Sequence, residues 1–311
     1  MGRTPTRTFK FDFDEFRIGT AEYAAGPTGC TVLHFPRSAV GAVDVRGGAA
    51  AVRESTSLDP ANSFGLLDAL FFAGGSTYGL DVGSGVMREL LALRHGRTGF
   101  GDIPAAPGAA VYDFEGRADP ALFPDAELGA RAFREARTGM VLVGRAGAGA
   151  NVWVGSFLGQ AWAEQSGQGA AFRRVAGVRL FALSVVNAVG NVLDRSGRII
   201  AGSRDPSTGE RLQVTEGLPN LAAPRPSRRR HTTLTAVVTD AELNHPELQR
   251  LATMAHSALG RVIEPFATPL DGDTLFAVST ATAPLKRGWS VAELGAFAGQ
   301  LAQDAVLEAV R

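Results

Sequence analysis

The stretch His231-Thr232-Thr233-Leu234-Thr235-Ala236-Val237-Val238-Thr239-Asp240 decides how the chain is read. β-Branched residues dominate it, and it contains neither Gly nor Pro, so it predicts a β-strand. Immediately before it stands Ala222-Ala223-Pro224-Arg225-Pro226-Ser227-Arg228-Arg229-Arg230, whose prolines and charges no core would accept. A threonine pair therefore sits where an exposed linker enters a buried strand. By pattern alone, this fits a strand that simply begins with threonine.

The strand needs partners, and the rest of the chain supplies them. Arg17 to Ala24 and Cys30 to Phe35 are strand-like runs around the turn Gly26-Pro27-Thr28-Gly29, and Ala39 to Val45 is a third. Phe11, Phe13 and Phe16 fit a leading strand or arm. Asp59-Pro60 resembles a helix start, with Leu66, Leu67, Leu70 and Phe71 as its apolar face and Gly74-Gly75 as its stop. A second helix is predicted from Tyr78 to about His95, a buried strand at Ala109 to Phe114, and a short helix from Asp125 to Ala136. Strands follow at Gly139 to Val143 and Val178 to Leu193, the latter as a strand pair or one bent strand. Asp194-Arg195-Ser196-Gly197 is a hairpin turn and Arg198 to Ala201 a further strand. Residues Ser203 to Arg230 read as loop. After the opening strand come a helix from Pro246 to about Leu259, a strand from Asp273 to Thr280, and a last helix begun by the capping box Ser290-Val291-Ala292-Glu293. This order predicts an α/β sandwich with helices outside stacked sheets. The final segment offers strands without enough partners of its own, so residues 1–311 are read as one domain with the linker inside it.

Composition bounds the function. The 311 residues carry 31 basic and 31 acidic side chains, so no global charge favours nucleic acid or a membrane surface. No run has the length of a transmembrane helix, and the polar amino terminus lacks a signal-peptide core, so a cytoplasmic protein is expected. Cys30 is the single cysteine, which rules out an internal disulfide. There is no Gly-x-Ser-x-Gly elbow, no His-Glu-x-x-His and no histidine spacing suited to a metal, so neither metal nor organic cofactor is expected. Gly74-Gly75-Ser76-Thr77-Tyr78-Gly79 and the Gly144 to Gly149 run match no phosphate-binding fingerprint and read as tight helix entries.

Six segments carry a family resemblance. They are Glu22 with Gly26-Pro27-Thr28-Gly29, Ala42-Val43-Asp44-Val45-Arg46-Gly47-Gly48, Tyr112-Asp113-Phe114, Gly144-Arg145-Ala146-Gly147-Ala148-Gly149, Gly167-Gln168-Gly169-Ala170-Ala171-Phe172-Arg173-Arg174, and Asp271-Gly272-Asp273-Thr274-Leu275-Phe276-Ala277-Val278. With these the chain resembles the P1 family of self-processing peptidases, and within it the members that hydrolyse 6-aminohexanoate (nylon-6) oligomers. The resemblance implies an αββα-type, N-terminal-nucleophile-hydrolase-like sandwich. It also implies a cut between His231 and Thr232 into residues 1–231 and 232–311, and an oligomer of the resulting heterodimers.

What the resemblance implies for chemistry is specific. Thr232 matches the nucleophile, whose newly freed α-amine, with a pKa of roughly 8, would serve as its base. Asp271 and Asp273 match carboxylates that orient the nucleophile and its amine; read without the resemblance, Asp-Gly-Asp fits an exposed turn. Asn187 matches an amide donor for the oxyanion, or else a plain strand break, and Tyr112 a tyrosine near the substrate amide, or else a core tyrosine. Two positions depart from the family. His231 stands where Asn is common, although cleavage draws chiefly on the carbonyl. Ser156 stands where the oligoamide hydrolases place a lysine, so either the α-amine alone is the base or the site is tuned differently. The implied activity is hydrolysis of linear oligoamides through an acyl-enzyme. The alternatives are an aminopeptidase for β- or D-amino-acid peptides, an acyltransferase, or an uncut, non-catalytic protein.

Overall fold

The computed structural model describes residues 5–59, 65–218 and 231–311. The linker at 222–230 and Pro60 of the expected helix start lie outside them. Strands in chain order are β1 (Arg7–Lys10), β2 (Arg17–Tyr23), β3 (Thr28–Val45), β4 (Val52–Arg53), β5 (Leu66–Ala73), β6 (Gly108–Ala110), β7 (Met140–Val143) and β8 (Trp153–Val154). They continue as β9 (Glu164–Gln165), β10 (Gln168–Val175), β11 (Val178–Asn187), β12 (Asn191–Leu193), β13 (Ile199–Ala201), β14 (Thr232–Ala241), β15 (Ile263–Glu264) and β16 (Thr274–Ala283). The α-helices are α1 (Val82–Leu93), α2 (Ala126–Arg134), α3 (Val214–Gly217), α4 (His245–Leu259) and α5 (Val291–Glu308).

Among the described residues, nine strands hydrogen-bond in the order β10-β11-β14-β16-β3-β5-β6-β4, with β2 also on β3. The 18-residue β3 is shared by two layers. Its first part pairs with β2 and β5, its last part with β16, and the register shifts between His34 and Ala39. Three apolar clusters then define four layers. One packs α4 and α5 on β11, β14 and β16; the second lies between the sheets; the third packs α1 and α2 on β2, β3 and β5. The architecture is the expected αββα sandwich.

Alternation along the strands fixes which side chains face the space between the sheets. On β14, Leu234, Ala236 and Val238 face it, while Val237 packs under the helices. On β11, Phe181, Leu183 and Val185 face it. The leading aromatics close one side, with Phe11 and Phe16 rings 4.4 and 5.4 Å from that of Phe181. Each such ring buried contributes about 1.5–3 kcal/mol. Local signals set the helix starts. Asn244 and Ser290 open α4 and α5 with capping boxes to Glu247 and Glu293, and Asp125 caps α2. Each cap is worth roughly 1 kcal/mol.

Several expectations need correction. Cys30 to Phe35 and Ala39 to Val45 are one continuous strand, β3, and the segment read as loop from Ser203 contains the short helix α3. Leu66–Ala73 is strand β5, not a helix. Leu67, Leu70 and Phe72 face the space between the sheets, and Ala69, Phe71 and Ala73 face α1 and α2. A strand covered on both faces is apolar throughout, and its run mimics helical spacing. The strand expected at Ala109 to Phe114 ends at Ala110, leaving Tyr112 and Asp113 in a loop. The Val178–Leu193 segment is two strands, β11 and β12, in different sheets. Gly74 to Gly79 does form a helix entry, a short 3-10 turn leading into α1.

Candidate active site

Thr232 is the first residue of β14 and is 2% exposed. Its parity matches Leu234 and Ala236, so its side chain is aimed between the sheets. The hydroxyl donates to the carbonyl oxygen of His231 at 2.5 Å. That same carbonyl accepts the Gly272 N–H at 2.7 Å, and the His231 N–H donates to Leu270 O at 3.0 Å. His231 thereby lies as a parallel bridge on Asp271. The peptide bond ahead of Thr232 is clamped and polarised, with the threonine hydroxyl beside its carbonyl.

Gly272 permits this approach, because a Cβ there would lie 2.7 Å from Thr232 Oγ1 and 3.0 Å from Ala49 O. The Asp-Gly-Asp backbone is itself held by the turn after β3. Arg46 N–H and Gly47 N–H donate to Asp273 O, and Ala49 N–H to Asp271 O. A Cβ on Gly47 would sit 2.2 Å from Asp273 N, so only glycine fits.

Asp271 and Asp273 are each 1% exposed, which replaces the exposed-turn alternative with a buried pair just ahead of β16. Asp273 accepts the Thr233 N–H at 2.7 Å and the Ala267 N–H at 3.0 Å. Asp271 accepts the Val189 N–H at 3.1 Å and the Thr268 hydroxyl at 2.5 Å. Burial raises both carboxyls above their usual range, and burial followed by the charge of Asp271 pushes Asp273 to about 8.

Asn187 ends β11 directly across from Thr232 in the antiparallel register. Its Oδ1 accepts the Trp153 N–H and its Nδ2 donates to Tyr112 O, both at 3.0 Å. An amide nitrogen carries two donors, so one remains for a ligand among the described residues. Tyr112 reaches the site through its backbone, and its half-buried ring packs on Phe114. Ser156 follows the left-handed Gly155 and is buried, with Oγ 2.8 Å from His231 Nε2. The six residues named from sequence (Thr232, Asn187, Asp271, Asp273, Tyr112, Ser156) and His231 thus converge on one place.

Sequence reading missed the support beneath them. Asp113 is fully buried, accepting from Thr28 Oγ1 at 2.7 Å and Gly75 N–H at 2.6 Å. It is paired with Arg117, whose side chain is also fully buried and which donates to Asp113 O and Leu122 O. Asn151 donates to Asp113 O and Glu115 O. This network fixes the loop that presents Tyr112 O to Asn187. Tyr112-Asp113-Phe114 held the signal, since an acid between two aromatics needs a buried partner. Among the described residues, no group of His, Cys, Asp and Glu side chains is arranged to hold a metal ion.

Comparison with known proteins identifies the family and the fold. Residues 11–311 match the model of Peptidase family S58. The chain is 39% identical to the 6-aminohexanoate-oligomer endohydrolase of Kocuria sp., covering 99% of this chain and 87% of that protein. It is 36% identical to an uncharacterized aminopeptidase of Mycobacterium leprae, covering 91% and 82%. Among solved structures, a Burkholderia sp. beta-aminopeptidase superposes with a TM-score of 0.67 at 20% identity, covering 97% of this chain and 88% of that one. The L-aminopeptidase D-Ala-esterase/amidase of Ochrobactrum anthropi, described as a variant of the Ntn hydrolase fold, gives 0.69 at 18%, covering 99% and 87%. At those identities the structural likeness speaks for the fold.

Proposed function

The chain belongs to peptidase family S58 and is an amide-bond hydrolase; from that premise we propose that it cuts itself before Thr232 and then uses Thr232 to hydrolyse linear oligoamides such as 6-aminohexanoate oligomers. The observation that carries this reading is the 2.5 Å bond from the Thr232 hydroxyl to the carbonyl oxygen of its own scissile peptide.

In the first reaction, Thr232 Oγ1 adds to the carbonyl carbon of His231 and Gly272 N–H stabilises the developing oxyanion. The C–N bond breaks, the hydroxyl proton passes to the departing nitrogen, and an ester remains. Water then hydrolyses the ester, giving a His231 carboxylate and a free Thr232 α-amine. In the second reaction, that amine takes the hydroxyl proton as Oγ1 attacks the substrate amide. The spare N–H of Asn187 and the Gly272 N–H hold the oxyanion. The α-ammonium returns the proton to the leaving amine, and water releases the acyl group. Asp273 anchors the backbone next to the nucleophile by accepting the Thr233 N–H.

An aminopeptidase is the second reading, and one observation favours it. Leu270 O and Gly272 N–H are spaced, in the uncut chain, to the N–H and C=O of a single α-amino acid. Blocking a substrate's amino end would abolish aminopeptidase turnover and spare the oligoamide activity.

The decisive experiment is the intact mass of the purified protein beside Thr232→Ala. Two fragments in the wild type, a single chain in the variant, and oligoamide hydrolysis only by the wild type are expected. An uncut wild type that hydrolyses oligoamides would sink the scheme.

A further inference from the structure

Before the cut, the residue on the acyl side of the scissile bond is the chain's own His231. The same nucleophile serves both reactions, so the space filled by His231 is the space a substrate's acyl residue must enter. The groups that hold His231 there describe that residue. Its main-chain groups are held by Leu270 O and Gly272 N–H, and its imidazole Nε2 lies 2.8 Å from Ser156 Oγ, within hydrogen-bond distance. Ser156 is 1% exposed and His231 3%, so water competes little for that bond.

Covalent distance turns the contact into a statement about substrate. Between the His231 carbonyl carbon and Nε2 lie Cα, Cβ, Cγ and Cδ2. A 5-aminopentanoyl group separates its carbonyl from its nitrogen by the same number of carbons, and 6-aminohexanoyl by one more. A β-alanyl group has two fewer, and its nitrogen stops short. Resting on the oligoamide reading, we propose that Ser156 Oγ is the hydrogen-bond partner of the far nitrogen of a 5- or 6-carbon ω-aminoacyl group, and that the His231 imidazole stands in for this nitrogen until the cut. A serine hydroxyl accepts from an ammonium or from an amide N–H, so it suits both the free end of an oligomer and an internal unit.

The product acids test this without turnover. Calorimetric titration of the fully cut wild type with 6-aminohexanoate, 5-aminopentanoate, hexanoate, pentanoate and β-alanine compares ligands with and without the nitrogen. Each of the two longer amino acids should bind roughly fivefold tighter than the alkanoate of its own length and tighter than β-alanine, the effect of one net hydrogen bond. In Ser156→Ala the advantage should collapse to near unity, and Ser156→Thr, which keeps the hydroxyl, should restore it. Equal affinities in the wild type, no binding of any acid, or an undiminished ratio in Ser156→Ala would each overturn the proposal. The length series in the wild type decides the matter alone if the alanine variant does not cut. Hydrolysis of 6-aminohexanoate oligomers is assayed in parallel. Hydrolysis without discrimination defeats only the subsite, and discrimination without hydrolysis defeats only the oligoamide reading.

Discussion

Asn187 and Thr232 face each other across adjacent antiparallel strands, in register, with both side chains on the face turned toward the second sheet. The pairing joins the proposed nucleophile to its proposed oxyanion donor through a ladder of backbone hydrogen bonds, which is more rigid than a loop.

Asn187→Ala should therefore lower kcat by roughly a hundredfold to a thousandfold, the usual cost of one oxyanion donor. Steady-state kinetics on fully cut protein would check this. A loss below tenfold would remove Asn187 from the chemistry. The circular dichroism spectrum should be retained, because Trp153 N–H loses only one acceptor.

Gly272→Ala should arrest self-cleavage. The added methyl would lie 2.7 Å from Thr232 Oγ1 and must displace either the hydroxyl or the backbone at Ala49. A time course by denaturing gel should show the uncut chain persisting while the wild type is processed. Unimpeded cutting would mean the attacking hydroxyl does not use the observed position.

Asp273 gives the uncut chain a pH dependence whose sign is fixed. Its carboxyl is raised from 3.8 to about 8, so the folded state keeps a proton that the unfolded chain releases. Stability contributed by the neutral form is present at low pH and is lost as pH rises across that window. In a Thr232→Ala background, which holds the precursor uncut, urea midpoints should fall from pH 5 to about pH 8. Asp273→Asn should flatten the slope. A midpoint that rises over this range would contradict the assignment.

Arg117→Ala should cost roughly 3–5 kcal/mol, because it leaves the buried Asp113 charge without its partner. Urea denaturation measures the loss. Arg117→Ala with Asp113→Asn should recover part of it, since no uncompensated charge then remains.

The residues of this candidate site were legible through the family resemblance rather than through local pattern. By pattern alone Thr232 fits a plain strand start, Asn187 a strand break and Asp271-Gly272-Asp273 an exposed turn, because what brings them together is pairing between strands distant in sequence. The helix starts were legible because Asn244, Ser290 and Asp125 are local signals read within a single turn. Strand β5 was not, because burial on both faces erases the period that separates strand from helix. Asp113 and Asn151 were missed for another reason: Asp113 is held by Thr28 and Gly75, and Asn151 by the carbonyls of Asp113 and Glu115, and sequence distance hides such pairings. The role of Gly47 was equally invisible, since it rests on the backbone of Asp271 and Asp273 far along the chain.

Strands β14 and β16 lie side by side in the middle of the main sheet, between β11 and β3. Both belong to the segment that follows the proposed cut, and their outer neighbours belong to the segment before it. Severing the chain at Thr232 would leave every rung of that ladder intact, so the two pieces should travel as one particle. Their history would still be written into them. The precursor refolds as a single chain, at a rate independent of its concentration, whereas the nicked protein, once unfolded, must bring two molecules together. Its recovery should follow second-order kinetics and fail on dilution. The self-inflicted cut would thus convert a reversible fold into one that is held mainly by the slowness of its unfolding.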